Sequence, residues 1–577
     1  MNIFNELWND LKQAGQSICT DEDIWNEATL ETPKDHLNGD ISTNLAMIIA
    51  AKKGGNPREI SLKLKEHLMD ISYLAHIEVA GPGFINFTIK ANKWHDCINS
   101  ILGDHKDFWH CNIGNKHKVN VEFVSANPTG PMHVGHARGA VYGDVLANIL
   151  DLCGYDVTKE YYINDAGSQI DILLDSVFIR YKEVLTGEKI EISEGLYPGS
   201  YLITIGEKVY NEFGDDLLKF SRDEVHSKIK KLVLDSMMSL IKTDLSKLGV
   251  KHDIFFSEQS LHDNKKIDRA IRLLEEKKLI YQGVLPPPKG KINEAWEEKE
   301  QLLFKSTDYG DDQDRPIKKQ DGSWSYFAAD FAYAKDKIDR GFETLIYILG
   351  ADHSGYVKRI KAVIEALGEG KVNSDIRISQ LVNFVKDGVP IKMSKRSGNF
   401  MTVSDVTDYV DKDIIRFMML TRRNDMTLDF DFDKVKEQSK DNPVFYVQYA
   451  HVRLKSIMAK ASEVAPSAYN KFRDGDFDLS LLSSEIEIQL IKSLASWPKV
   501  LTSSAKFFEP QRIAYYLIDI ASRFHSIWNL GKDDNDYRFV IENNEEHTAA
   551  RLALAESIRK VLAVGMGVMG VTPMEQM

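Results

Sequence analysis

Apolar and polar positions change period along the middle of the chain, and the changes mark its elements. "KVNVEFVSA" (118–126) is a short β-branched run suited to a strand buried on both faces of a parallel sheet. "ARGAVYGDVLANILDLCG" (137–154) repeats its apolar positions at helical spacing and stops at Gly154. "DVTKEYYIND" (156–165) is extended again. Strand, helix, strand is a βαβ unit, the start of a doubly wound sheet. Upstream, "NELWNDLKQAGQ", "DISTNLAMIIAAKKG" and "PREISLKLKEHLMDI" predict helices, "IEVAGPGFINFTI" predicts two strands around the turn Gly81-Pro82-Gly83, and "GDHKDFWHCNIGNKHK" reads as a linker. From about Ala166 to Asp314 the pattern is helical and charged, an insertion between two halves of the sheet. Sheet patterning returns with "TLIYILGAD" (strand), "SGYVKRIKAVIEALG" (helix) and "IRISQLVNFVK" (strand); from about Asp441 the chain is almost wholly helical.

The pattern as a whole predicts a multidomain α/β protein. A small α+β domain covers 1–110. A Rossmann-like, doubly wound parallel-sheet domain covers 111–400, with the helical insertion at about 166–314. A connecting stem covers 401–440 and an all-α domain 441–577. The length of 577 residues agrees, being too great for one core. The first residues meet acid at Glu6 and Asp10 and read as no signal peptide, and the longest apolar runs fall far short of a membrane span, so no membrane partner is expected. Cys19, Cys97, Cys111 and Cys153 are scattered, which argues against zinc and against a disulfide framework and suits a reducing cytoplasm. The net charge of −13 argues mildly against a nucleic-acid partner but leaves room for a local basic face.

Two stretches carry candidate chemistry. "ANPTGPMHVGHARGA" (126–140) is the turn at the C-terminal end of the first sheet strand, where helix-end amides point at ligands. If the helix begins near Met132, His133 and His136 share one face at its first turn, and Gly135 between them lets a flat ring approach the backbone. A phosphate and a base suit that geometry; a proline-bounded helix start with two solvated histidines is the alternative. "VKDGVPIKMSKRSGNFMTV" (385–403) places Lys392, Lys395 and Arg396 in a loop between Gly388 and Gly398. A lone K-x-x-K-R would be a solvated basic turn, but Met393 and Ser394 make the string specific.

"HVGH" and "KMSKR", in this order, resemble the two signatures of class I aminoacyl-tRNA synthetases. "VEFVSANPTGPMHVGHARGA", "SYFAADFAYAKDKIDRGFETLIYILGADHSGYVKRIKA", "DGVPIKMSKRSGNF" and "KDNPVFYVQYAHVR" resemble the arginyl-tRNA synthetase family, and "HLNGDISTNLAM" with "GPGFINF" resembles that family's own N-terminal domain. The likeness spans nearly the whole chain and is thinnest between Leu185 and Glu300. It implies activation of L-arginine by ATP, as substrate with Mg2+, to arginyl-adenylate, then transfer to the 3'-terminal ribose of tRNA(Arg). It also implies a helical anticodon-binding domain and a cytoplasmic monomer. Neither step needs a protein nucleophile, so the site has to position substrates and stabilise charge.

The resemblance also assigns residues. His133 and His136 donate to ATP phosphates; Gly135 packs near the adenine; Gly130, Gly350 and Met393 join the ATP site; Asp352 accepts from the ribose hydroxyls. Asp352 is equally suited to cap the helix of "SGYVKRI". Lys395 neutralises the leaving pyrophosphate, helped by Lys392 from the same lid-like loop. Tyr326 and Asp330, four apart and on one face if that segment is helical, hold the arginine side chain. Glu122 and Asn127 bind the polar groups of arginine, and His133 and His353 complete its site. For Glu122 the alternative is a salt-bridged carboxylate in an apolar strand, which is costly unless paired. Lysine or citrulline would leave acceptors unpaired, a basis for discrimination without proofreading. Tyr446, Gln448, Tyr449, His451 and Arg453 offer surfaces for anticodon bases, although Tyr446 and Tyr449 could equally be core.

Three rivals are weaker on sequence grounds. A cysteinyl-type class I enzyme needs a zinc thiolate site, and no cysteine cluster offers one. A non-catalytic RNA-binding relative should have lost the phosphate groups, yet His133, His136, Lys392 and Lys395 are all present. A nucleotidyl transferase without tRNA would leave the long helical domain idle.

Overall fold

The computed structural model describes residues 2–33, 35–285, 300–319, 322–386, 388–390 and 401–577. Its centre is a five-stranded parallel sheet: β1 (Lys118–Phe123), β2 (Asp156–Ile163), β3 (Ile254–Ser257), β4 (Thr344–Gly350) and β5 (Asn373–Ser379), in the order β5-β4-β1-β2-β3. The register sets Phe123 opposite Ile348, and Glu122 opposite Tyr347 on one side and Glu160 on the other. The chain leaves β1 through helix α1 (Ala137–Leu152) to build β2 and β3, then returns to the far side of β1 with β4. The boundary between β1 and β4 is thus the topological switch point, and open α/β sheets bind ligands beyond the carboxyl ends of the strands at such a point.

The insertion is less helical than its pattern predicts. It contributes helices Ser168–Thr186, Tyr201–Phe213 and α2 (Arg222–Lys247). It also contributes β3 and an antiparallel sheet of Ile280–Gly283, Gln301–Phe304 and Arg315–Pro316. β3 is four residues long and lies at the sheet's edge, too short to show alternation against charged helices on both sides. "IRISQLVNFVK" is two strands, not one. β5 ends at Ser379, and Val382–Lys386 pairs instead with Leu428–Asp431 and Val389–Pro390. The stem therefore draws in residues before 401.

Helices α3 (Tyr326–Asp339) and α4 (Val357–Gly368) complete the second half of the sheet domain. In the stem, α5 (Lys412–Met419) carries Arg416, 1% exposed. Its guanidinium donates to Asp144 Oδ2 (2.6 Å), to the Leu248 carbonyl beyond α2 (2.9 Å) and to the Met569 carbonyl (2.7 Å). A buried charge satisfied on three sides is held firmly, and it ties α1 to the C-terminal helices. These include α6 (Pro443–Val464), α7 (Gln511–Asp533) and α8 (Glu545–Val568).

In the N-terminal domain, strands Leu30–Glu31, Ile41–Thr43, Phe84–Ile89 and Leu74–Ala80 lie in that order. "DIST" starts a strand rather than a helix, because Ile41 and Thr43 are taken up opposite Phe87 and Ile85; the helix begins at Leu45. The expected linker holds a short helix, Lys106–Trp109, whose Trp109 packs 6.3 Å from the Trp497 ring.

Gly143 lets α1 lie against β1: a Cβ there would sit 2.3 Å from Phe123 Cγ, in a fully buried ring. Gly143→Ala gains helix propensity of about 1 kcal/mol and loses ~1–3 kcal/mol to overpacking. The expected net result is a lower midpoint of thermal unfolding; an unchanged or higher midpoint would show that α1 can shift freely.

Candidate functional site

The site grows from the ends of β1 and β4. Directly after β1, Val124 and Ser125 take φ values of 70° and 41°. Left-handed backbone is strained for a β-branched valine, and strain of this kind collects at functional turns. The turn lets Ser125 Oγ donate to Glu122 Oε1 (3.2 Å) and accept from Tyr162 N (3.1 Å). Beyond it the loop is held by other elements. Tyr161 donates to the Ala126 carbonyl (2.7 Å), Asn127 Nδ2 donates to Gln169 Oε1 (2.8 Å), and Tyr201 donates to the Thr129 carbonyl (2.7 Å). Gly130 leaves room for Tyr201, whose hydroxyl lies 2.8 Å from where a Cβ would stand.

His133 caps a 3-10 turn, Val134–His136, and α1 begins at Ala137, where the helical pattern starts, so the helix does not reach back to Met132. His133 Nδ1 accepts from Gly135 N (2.8 Å), so the neutral ring carries its proton on Nε2, a donor suited to an anion. A side chain at 135 would stand 2.5 Å from His133 Cε1, so this glycine also shapes the histidine's rotamer. The His133 and His136 rings are 5.3 Å apart.

The loop is stitched to the segment that follows "KMSKR". His133 bridges Thr402 in antiparallel fashion, Val134 N donates to the Met401 carbonyl (3.0 Å), and Val403 N donates to the Met132 carbonyl (2.8 Å). Asp244 of α2 accepts from Met132 N (2.7 Å) and from Ser404 Oγ (2.6 Å), clamping the two strands together. Lys392, Met393 and Lys395 themselves lie outside the described residues.

At the end of β4, Gly350 leads into a 3-10 turn, Ala351–Tyr356, with Asp352 and His353 exposed and 3.6 Å apart. A Cβ at Gly350 would stand 2.7 Å from Asp352 Oδ1. The N-cap of α4 is Tyr356, so Asp352 does not cap that helix and its carboxylate remains open to solvent.

Between these loops lies an acidic group. Tyr326 opens α3 and Asp330 follows one turn later, so both positions share a face. The Asp330 carboxyl is pushed up to about 8 by burial and by Glu258 and Glu122, against the pull of Arg359. Glu258, directly after β3 and 5% exposed, is pushed up to about 7 by burial and by Asp165, against a hydrogen bond from Tyr162. The sequence reading missed Glu258; an acid at the end of an apolar strand, as in "VEF", was the available signal. Glu122 is 6% exposed and paired with Lys337 Nζ (2.6 Å) and the Tyr333 hydroxyl (2.9 Å), both at Oε2. The salt-bridged alternative for Glu122 is therefore realised, with Oε1 holding only the Ser125 hydroxyl among described residues. Asp330, with its carboxyl raised by burial and by the neighbouring Glu258 and Glu122, forms with them an acidic group that suits a planar cation with several donors.

In the helical domain the candidate base contacts divide. Gln448 and His451, each 1% exposed, face the interior and pin the C-terminal tail. Gln448 bonds Thr572 O (2.9 Å) and Met574 N (2.8 Å), and His451 Nδ1 meets Met574 O (3.1 Å). This corrects their expected place among tRNA contacts: both side chains are buried, and the Gln448 amide and His451 Nδ1 are engaged by tail backbone. Tyr446 and Tyr449 are half-buried around His525, and the Arg453 guanidinium lies over the Tyr449 and Trp528 rings at 4.1 and 4.7 Å.

Residues 5–89 match a family model described as the arginyl tRNA synthetase N-terminal domain, residues 97–456 the catalytic domain of class I (R) tRNA synthetases, and residues 447–577 the DALR anticodon binding domain. Arginine–tRNA ligases of Rickettsia bellii and Rickettsia typhi are 60% and 61% identical over the full length of both chains. A solved structure titled as a putative arginyl-tRNA synthetase from Campylobacter jejuni is 32% identical with TM-score 0.72, covering 85% of this chain and all of that one. The Thermus thermophilus arginyl-tRNA synthetase, 18% identical with TM-score 0.70 over all of both chains, shares the fold.

Proposed function

Because the chain belongs to the arginyl-tRNA synthetase family of class I enzymes, we propose that the region beyond the carboxyl ends of β1 and β4 is where arginine and ATP meet. The reaction is the ligation of arginine to tRNA: arginine is activated with ATP to arginyl-adenylate and passed to the terminal ribose of tRNA(Arg). One observation carries the assignment of the site. The antiparallel pairing of residues 132–134 with 401–403 joins the first signature segment to the chain that follows the second, at the switch point. His133 and His136 then donate to the ATP phosphates, with Gly130, Gly135 and Gly350 giving backbone access and Asp352 accepting from the ribose. Lys392 and Lys395, with Met393 between them, close on the phosphates, and Mg2+ travels with the nucleotide. Asp330, Tyr326, Glu122 and, newly, Glu258 surround the guanidinium; Asn127 and His353 take the amino-acid end. Tyr446, Tyr449 and Arg453 offer stacking surfaces to the anticodon. No helix among the described residues is long and apolar enough to cross a membrane, and we place the enzyme in the cytoplasm as a monomer.

The test is aminoacylation with each of the twenty amino acids and cognate tRNA. Charging with arginine alone is expected. Charging with another amino acid, or none with any, rejects the reading and returns the non-catalytic RNA-binding alternative.

A further inference from the structure

Lys337 is fully buried, three turns into α3. Its ammonium is 2.6 Å from Glu122 Oε2 and lies 4.3 and 4.1 Å from the ring centroids of Tyr333 and Tyr347. The Tyr333 hydroxyl stands 2.9 Å from the same Glu122 oxygen and 2.7 Å from Glu160 Oε1, one proton between two carboxylates. Glu160, with no exposure, is held by Arg340 (2.6 and 2.9 Å) and by Asn120 Nδ2 (2.9 Å). Arg340 also meets Asp336 (3.0 Å), which Lys266 pairs in turn, so three anions and three cations balance in this network before any substrate arrives. Stability alone does not call for this arrangement, since a buried ion pair can often be replaced by apolar side chains at no net loss.

The arrangement divides the two oxygens of Glu122. Oε2 takes the ammonium and the tyrosine hydroxyl; among the described residues Oε1 has only the Ser125 hydroxyl, at 3.2 Å. A carboxylate oxygen accepts two hydrogen bonds, so Oε1 keeps a lone pair for a ligand donor. An aromatic cage on the ammonium leaves it little freedom to swing away, and the pair holds Glu122 in one rotamer.

We propose that Lys337 is a positioning residue for arginine recognition, acting through Glu122: it anchors Oε2 so that Oε1 is presented, charged and fixed, to the substrate's nitrogen donors. This rests on the reading of Glu122 as an arginine contact.

The experiment is a double-mutant cycle with Lys337→Met and Glu122→Gln, read as KM for arginine and for ATP in tRNA-supplemented ATP–pyrophosphate exchange, with thermal unfolding alongside. Lys337→Met is expected to raise the arginine KM roughly 10- to 100-fold, the scale for unpairing a buried charge, and to move the ATP KM less than about threefold. In the Glu122→Gln background the same change is expected to add little. If Glu122→Gln leaves the arginine KM at its wild-type value, the reading of Glu122 fails and the proposal with it. If Glu122→Gln weakens arginine but Lys337→Met does not, the proposal alone fails. It also fails if the Lys337→Met loss persists undiminished without Glu122, or falls equally on both substrates together with lower thermal stability. Should Lys337→Met not fold, Tyr333→Phe removes a neutral partner of the same oxygen. A severalfold rise in arginine KM with ATP unchanged supports the proposal, and no rise overturns it.

Discussion

Asp330→Asn is expected to weaken arginine binding by ~2–4 kcal/mol, because the guanidinium stays desolvated after losing its charged partner. The substitution keeps the shape of the side chain, and nothing in the helical pattern of α3 requires an acid there. ATP affinity, measured separately, should hardly change, since the proposed nucleotide loops are residues 130–136 and 350–353. Tyr326→Phe should be milder, with one neutral hydrogen bond removed. Titrating both variants with arginine and with ATP decides the matter. Wild-type arginine affinity in Asp330→Asn would leave Glu122 and Glu258 as the acids that read the substrate.

The raised pKa of Asp330 adds a pH signature. With its carboxyl near 8 in the free site, the group is mostly protonated at pH 7, and a guanidinium must displace that proton. Arginine affinity should therefore rise with pH, by up to about tenfold per unit, and level off above about 8. In Asp330→Asn the rise between 7 and 8 should disappear, leaving the contribution of Glu258 below about 7. The sign for stability is the opposite. A carboxyl raised in the folded state contributes stability that is full below its unfolded value near 4 and is lost as pH climbs through 8.

Lys395→Ala should lower the rate of arginine activation by about two orders of magnitude or more, the scale for removing one preorganised charge stabiliser. The KM for ATP should change much less, because the proposed site assigns ground-state nucleotide binding mainly to the His133–His136 turn and the loop after β4. The pairing of Met401 and Val403 with residues 132–134 fixes the chain after the second signature to the His133–His136 turn; Lys395 itself lies outside the described residues. Pre-steady-state measurement of adenylate formation separates the outcomes. A loss that shows wholly as weaker ATP binding would reassign Lys395 to ground-state affinity.

The amino-acid sequence by itself determined the local parts of this protein. The β-branched run at 118–126, the helix ending at Gly154 and the strand "TLIYILGAD" are set by short-range periodicity and by glycine, and the structure places all three as read. The two signature strings were legible for the same reason, since backbone approach and phosphate chemistry restrict residue types within a few positions. Tertiary structure decided whatever depends on partners distant along the chain. β3 exists because an edge of the sheet was open to four residues, and Val382–Lys386 left the central sheet because Leu428–Asp431 offered a better neighbour. Glu122 meets Lys337 across 215 positions, so its state as an ion pair could be posed from sequence only as an alternative. Glu258 joined the acidic group, and Gln448 and His451 left the RNA surface for the tail, because burial and hydrogen-bond partners are assigned only when distant segments meet. Periodicity reports which side of an element faces inward; it does not report which charge will be waiting there.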